Sequence, residues 1–433
     1  MNERTYRSRR GVRHEGVLRE GVRHEGVLRE RGMSRRELLA LGFAAAGACI
    51  CLPAFGTENS GGAGLTLSSR KGIVPDSRLA SIGPLGAPDA NGVRLPAGFR
   101  SRIVARSRQR PVATRDFIWH DAPDGGATFA SAEGGWIYVS NSEALNSKGG
   151  ASALSFARNG DLVDAYPVLR GTSGNCAGGP TPWGTWLSCE EHPAGLVWEC
   201  DPRGVAEPKS QPTLGAFDHE AVAVDPRTMQ LYLTEDRPDG RWYRFTPARI
   251  VGKRPDLSTG RLEVAEVVPN SGGRVRWHVV PDPSGGAEGT RNQVPASTAF
   301  RGGEGCWHAG GFIYFTTKHD NRVWAYEIPR QRLTVIYDRQ SSENPVLHDV
   351  DNVVTTPRGE VLVAEDNGDM QIVALSANGA TTPIVQVEGH FGSEVAGPAF
   401  DPSGTRLYFS SQRGASGRNV DGVTFEVIGP FRG

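Results

Sequence analysis

The chain lacks a surplus of charge of either sign. Lysine plus arginine and aspartate plus glutamate each number 48 among 433 residues, so the formal net charge is zero. A balanced chain has no broad basic surface for binding nucleic acid in bulk, and no nucleic-acid partner is expected. Long hydrophobic runs are missing too. The longest apolar stretch, residues 38–52, falls short of the roughly 20 residues that cross a bilayer, so the mature form is expected to have no stable membrane span. Helical periodicity is weak throughout, and no P-loop, zinc-finger spacing or Ser-His-Asp elbow pattern occurs. Cysteine is sparse, with Cys176, Cys189, Cys200 and Cys306 the four beyond the N-terminal stretch. In an oxidising compartment these would form two disulfides. Cys189 is set apart by its neighbours Glu190 and Glu191, and pairing among Cys176, Cys200 and Cys306 stays open.

What is plentiful is glycine, at 56 residues, and proline, at 29, both spread along the chain. With many short β-branched and aromatic runs, this composition describes short strands joined by turns. From about residue 100 the chain falls into units of roughly 40–60 residues, each a small-residue turn followed by an apolar strand and a second strand carrying Trp, Tyr or Phe. Gly135-Trp-Ile-Tyr-Val-Ser-Asn141, Gly184-Thr-Trp-Leu-Ser-Cys189 and Met229-Gln-Leu-Tyr-Leu-Thr-Glu235 are the first three such strands. Gly311-Phe-Ile-Tyr-Phe-Thr-Thr317, Gly359-Glu-Val-Leu-Val-Ala-Glu365 and Thr405-Arg-Leu-Tyr-Phe-Ser-Ser411 are the rest. Six units predict an all-β chain, a six-bladed β-propeller over residues 96–433, with a β-sandwich array as the alternative. Residues 250–295, rich in Pro, Gly, Ser and Arg, are expected to be an insertion between blades three and four, and residues 55–95 a linker or surface strap. Trp183, Trp186, Trp307 and Trp324 are expected to pack between blades.

At the N-terminus, residues 11–20 recur unchanged at 21–30. A perfect tandem repeat ahead of Met33 suggests a translated upstream region or a recent duplication over residues 1–32. Arg35 and Arg36 then precede the Ala/Gly-rich apolar stretch, and residues 33–54 are expected to be a twin-arginine export signal. An anchor helix, or lipidation at Cys49, are the alternatives. Export by this route implies the twin-arginine translocase as a transient partner and a periplasmic or extracellular location for a monomeric product.

The chemistry concentrates at strand ends. Trp183-Gly-Thr-Trp-Leu-Ser-Cys-Glu-Glu191 sets a thiol beside two carboxylates. Asp218-His-Glu220, Thr234-Glu-Asp236, Gly303-Glu-Gly305, Asp351-Asn352 and Glu365-Asp-Asn367 occupy comparable places in other units. A soft thiolate among hard oxygen donors suits a centre holding a transition metal and a hard cation such as calcium. In a propeller the equivalent loops converge at one end of the channel, so these carboxylates would share a pocket that needs cations to offset their repulsion. Asp225 and Asp401, each followed by proline, are turn formers, and His219 is expected to support the site rather than ligate.

These blocks, together with Glu304-Gly-Cys-Trp307 and Tyr314-Phe-Thr-Thr317, resemble the PhoX alkaline phosphatases of bacteria over about residues 85–430. The resemblance implies a six-bladed propeller exported by the twin-arginine route and a phosphomonoesterase acting through an iron–calcium cluster with a bridging oxo or hydroxo nucleophile. It implies Cys189 as an iron ligand, with Glu190, Glu220, Glu235, Glu304, Asp351 and Glu365 giving carboxylates to iron or calcium. Asn141 is a candidate phosphate contact. The family pattern Arg-Pro-Glu, whose arginine contacts the substrate phosphate, is here Gly302-Gly-Glu304, with Arg301 one residue earlier. Neighbouring strand residues point to opposite faces, which sets metal binding apart from phosphate turnover. A calcium-dependent propeller hydrolase such as a lactonase, or a non-enzymatic propeller with structural metals, are the competing readings.

Overall fold

The computed structural model describes residues 73–75, 77–377 and 379–432. The decapeptide repeat, the Met33 start, the expected export signal and Cys49 lie outside them. The described residues form an all-β, six-bladed propeller. Blade one pairs Pro123–Ala130, Trp136–Ser142, Gly149–Phe156 and Leu162–Thr172 in order from the channel outward. Blade two is Asn175–Pro180, Trp186–Glu190, Val197–Cys200 and Lys209–Ser210, and blade four is Gly303–Ala309, Phe312–Thr317, Arg322–Glu327 and Arg332–Asp338. Blade three begins His219–Val224, Leu231–Glu235, Trp242–Pro247 and continues into Gly260–Val267 and Val275–Val279. The outer strands of blade three therefore come from the stretch expected as an insertion. Only the small hairpin Ile250–Val251/Arg254–Pro255 stands apart as its own sheet.

Blade five is Val350–Thr355, Val361–Glu365, Gln371–Leu375 and Thr381–Val387, and it carries Val93–Arg94 as a fifth, outermost strand. The segment expected as a surface strap thus contributes to the interior, with Val74, Leu79, Val93 and Leu95 buried. Blade six is Val395–Phe400, Arg406–Ser411 and Val423–Ile428, closed by Arg100–Arg106 as its outer strand. The start and the end of the propeller are thereby joined in one sheet.

Each second strand is sandwiched between neighbouring blades, and Trp136–Ser142, Trp186–Glu190, Leu231–Glu235 and Val361–Glu365 are buried at every position. That is why these strands read as continuous apolar runs rather than alternating ones. Aromatic pairs lock the blades: Trp242 of blade three stacks on Phe315 of blade four at 4.7 Å, and Trp136 donates from Nε1 to the Tyr408 hydroxyl across the seam between blades one and six, at 3.1 Å. Burying each such side chain stabilises the fold by roughly 2–3 kcal/mol. Trp186 and Trp324 are buried as expected, while Trp183 and Trp307 pack partly exposed against the cores. All four cysteines are free thiols and all are buried, so the disulfides considered from the sequence do not form. No helix among the described residues is long and apolar enough to cross a membrane.

The six inner strands pack side by side around the channel. They approach so closely that a Cβ on Gly305 would lie 2.5 Å from the backbone nitrogen of Val353. A small cavity of about 30 Å³ is left there, lined by Gly125, Ala177, Ala221, Gly305, Asn352 and Gly397 among others.

Candidate metal centre

In every blade the pairing of the inner and second strands slips by a β-bulge close to the channel end: at Pro123/Gly126, Asn175/Gly178, His219/Val222, Gly303/Cys306, Val350/Val353 and Ala396/Ala399. A bulge re-aims the side chain it carries. In blades one to five the residue re-aimed is the second of the inner strand: Asp124, Cys176, Glu220, Glu304 and Asp351. Blade six has Ala396 there, with Glu394 just ahead of the strand.

A second ring comes from the residue just after the second strand: Glu143, Glu191, Asp236, Lys318, Asp366 and Gln412 in blades one to six. The same hydrogen bond holds each in place. Its backbone N–H donates to the residue before its own inner strand, namely Ala122, Gly174, Asp218, Gly302, Asp349 and Glu394, at 2.8–3.2 Å.

Together the rings form a buried acidic basin. Three groups have ligand-type atoms within 4.8 Å of one another: Glu143, Cys176 and Glu191; Asp124, Glu143 and Glu394; Glu220, Glu304 and Asp351. Asp124, Glu220, Glu304, Asp351 and Glu394 are all less than 5 % exposed. The Cys176 thiol contacts Glu220 Oε1 at 3.2 Å and Asp124 Oδ2 at 3.7 Å. Burial first, and then neighbouring carboxylates, push the pKa values of Asp124, Glu220 and Glu304 well above the usual carboxylate range. The Cys176 thiol is pushed up for the same reasons, and Glu394 to about 8. Oε2 of Glu220 is fully buried without a hydrogen-bond partner. Carboxylates crowded in this way, with an orphaned oxygen among them, are a donor set that suits bound cations.

The protein's own cations enter this basin from one side. Lys318 Nζ lies 2.7 Å from Glu304 Oε1 and 3.1 Å from Asp366 Oδ2. Burial would lower its pKa, but Glu304, Asp366, Asp236 and Asp351 outweigh burial and hold the ammonium charged. Arg413 reaches Glu394 at 2.7 Å and Asp366 at 3.2 Å. On the other side, Arg237 is engaged by Asp218 at 2.8 Å.

Of the residues expected from the sequence, Glu220, Glu304 and Asp351 come together in one group. The others lie elsewhere. Cys189 is buried in the apolar core of blades two and three, with Leu187, Val197, Leu214 and Val222 in the same cluster. Glu190, Glu235 and Glu365 face away from the channel and share a different task. Each accepts from the backbone N–H six residues on, at Leu196, Arg241 and Gln371 respectively, at 2.9–3.3 Å, so bracing the loop to the next strand. One-residue parity separates these braces from Glu191, Asp236 and Asp366. Asn141 is buried with both amide ends engaged: it donates to the Cys176 and Ala177 carbonyls and accepts from Trp186 Nε1 and Ser188 Oγ. It therefore fixes the backbone that carries Cys176 and has no capacity left for phosphate. Arg301 lies exposed in the turn before blade four. Gly302 occupies the ring position equivalent to Asp218 and Glu394, with φ +68° and a Cβ direction 3.1 Å from the His319 ring. His219 is buried, with Nε2 3.0 Å from the Gly215 carbonyl.

Cys176, Glu143, Asp124 and Glu394 were not anticipated, and Glu191 stood out only as part of the Cys-Glu-Glu block. For Asp124 and Cys176 the signal is an acid or cysteine followed at once by a small residue at the head of an inner strand, as also in Glu220-Ala and Glu304-Gly.

The sequence profile of the family described as alkaline phosphatase PhoX matches residues 109–195 and 192–332, over half of the chain. The chain belongs to the PhoX family. Among solved structures, Pseudomonas fluorescens PhoX in complex with vanadate, a transition state analogue, superposes with a TM-score of 0.66 at 16 % identity. The match covers 82 % of this chain and 98 % of that one. A gluconolactonase from Xanthomonas campestris matches with a TM-score of 0.44 at 13 % identity over 80 % and 98 % of the two chains. No curated protein sequence matches the chain. The likeness to the Pseudomonas protein is one of fold, and within that fold this PhoX family member gathers its acids at one end of the channel.

Proposed function

We propose that the protein is an exported, metal-dependent phosphoric ester hydrolase. The observation that carries this reading is the buried Cys176 thiol set among Glu143, Glu191, Asp124 and Glu220, in a chain of the PhoX family. Glu143, Cys176 and Glu191 would hold iron, because a thiolate beside carboxylates suits a borderline-to-hard transition ion. The all-oxygen groups, Asp124–Glu143–Glu394 and Glu220–Glu304–Asp351, would hold calcium. When bound, such ions neutralise phosphoryl charge and make a nucleophile available at ambient pH. The chain's own contribution is to fix the donors through six equivalent backbone hydrogen bonds and to hold Cys176 through Asn141. With glycine at 302, the basin has no arginine at that ring position, so phosphoryl oxygens would be met chiefly by the ions. The substrate class is a small phosphoester. The twin-arginine route, a periplasmic or extracellular location and a monomeric state belong to the same proposal, with residues 33–54 as the signal.

The test is hydrolysis of p-nitrophenyl phosphate by the purified protein, with iron and calcium counted by elemental analysis. Activity abolished by chelation and by Cys176→Ala supports the reading, and activity that survives both sinks it. Gly302 favours one second reading, a propeller whose metals are structural. A full metal complement with no turnover across a panel of phosphoesters would select it.

A further inference from the structure

The two rings repeat one backbone geometry six times, yet they do not repeat one charge. At the position after the second strand, blades one, two, three and five carry Glu143, Glu191, Asp236 and Asp366, while blade six carries the neutral Gln412. Blade four alone carries a cation, Lys318. Its backbone is held as the others are, by an N–H···O bond to Gly302 at 2.8 Å, so the side chain enters the basin as its acidic counterparts do. There the ammonium contacts Glu304 at 2.7 Å and Asp366 at 3.1 Å, and its side chain is 14 % exposed. Asp236 of blade three and Asp351 of blade five add to the negative field that holds the ammonium charged.

A small buried cation gripped by two carboxylates, in the field of two more, has the kind of surroundings a hard divalent ion takes in a protein. An ammonium in such a cage cancels one charge where a divalent ion would cancel two, and it cannot be exchanged or chelated. We propose that Lys318 fills one cation position of the basin, standing in for a metal ion between Glu304 and Asp366, so that the chain needs fewer ions than its carboxylates would otherwise demand. Exchangeable ions are then left to the three groups beside it, Glu143–Cys176–Glu191, Asp124–Glu143–Glu394 and Glu220–Glu304–Asp351. This inference rests on the metal-binding reading above but not on phosphate turnover.

The experiment compares the full-length wild type with Lys318→Ser and Lys318→Arg. Each is purified without chelator, equilibrated with calcium, and its iron and calcium counted per chain. Lys318→Ser is expected to hold about one more divalent ion than the wild type, and Lys318→Arg the wild-type number. An unchanged count in a folded Lys318→Ser overturns the proposal. So does an unchanged count with a raised KM for p-nitrophenyl phosphate, which would make Lys318 a phosphate contact. If Lys318→Ser folds only with added cation, rescue by calcium at concentrations that leave the wild type unaffected supports the proposal, and failure of that rescue counts against it. The absolute metal content of the wild type tests the function proposed above, whereas the difference between variant and wild type tests the role of Lys318.

Discussion

The two halves of the channel mouth solve the same electrostatic problem differently. In blades one to three the ring positions hold Asp124, Glu143, Cys176, Glu191, Glu220 and Asp236. In blades four to six the acids Glu304, Asp366 and Glu394 are threaded together by Lys318 and Arg413. Backbone geometry is alike on both sides, so the difference lies in side-chain charge alone. One half has a lysine among its ring residues, and the other has acids and a thiol at every ring position. A repeated scaffold can therefore vary its charge around the axis without any change in its strands.

The largest expected effect comes from removing the thiol on the acid-only side. Cys176→Ala should lower kcat/KM for a phosphoester about 10³-fold, the several kcal/mol that metal-assisted charge neutralisation supplies, with a matching loss of iron. Cys189→Ala is the control: activity within about threefold of wild type, and about 1 kcal/mol of stability lost to the cavity, read by denaturant unfolding. Equal losses in the two variants would erase the distinction between them.

Asn141→Ala comes next. It frees the Cys176 and Ala177 carbonyls and leaves Trp186 Nε1 and Ser188 Oγ without their acceptor. The expected cost is about 2–3 kcal/mol, with weaker iron retention, read by unfolding and by elemental analysis.

Chelation should make stability depend on pH. Glu394 is held near 8 in the fold, mainly by burial, against an ordinary value of 4.5. The folded state then keeps protons that the unfolded chain releases, so stability falls as pH rises between those values. Metal-free protein should melt roughly 5 °C lower at about pH 8 than at about pH 6, while the metal-loaded form, in which ions replace those protons, should show a flatter profile. Thermal melts of both forms check this, and a flat profile for the metal-free form would contradict it.

The smallest effect belongs to the braces. Glu365→Gln keeps an acceptor for only one of the His348 and Gln371 N–H groups, so metal content should not change and stability should fall by about 1–2 kcal/mol. Glu304→Gln, in the basin, should lower the ion count under the same assay.

The propeller is legible in the sequence because a turn followed by an apolar strand recurs at regular spacing, and burial on both faces makes those strands conspicuous. Glu220, Glu304 and Asp351 are legible for a similar reason: each is an acid beside a strong apolar strand. Parity is where sequence reasoning fails. In Cys189-Glu190-Glu191 the chemistry reads as one block, but successive side chains go to the core, to a loop brace and to the channel. Cys176 is hidden because the bulge that aims it at the basin leaves no mark beyond the small residues Ala177 and Gly178. Residues 260–279 read as an insertion because Gly, Arg and Pro flank strands that lie at the outer edge of blade three, where one face meets solvent.

The outer strand of blade six comes from residues 100–106, and its partner strand is Val423–Ile428. Bringing segments so distant in the chain together is slow and carries a closure cost of several kcal/mol. Asp124 and Glu143 lie on one side of that seam and Glu394 on the other, so the group they form does not exist until the circle is shut. An ion held there would latch the seam, and an incompletely folded chain would have nothing to load. Metal uptake there would be a readout of finished folding.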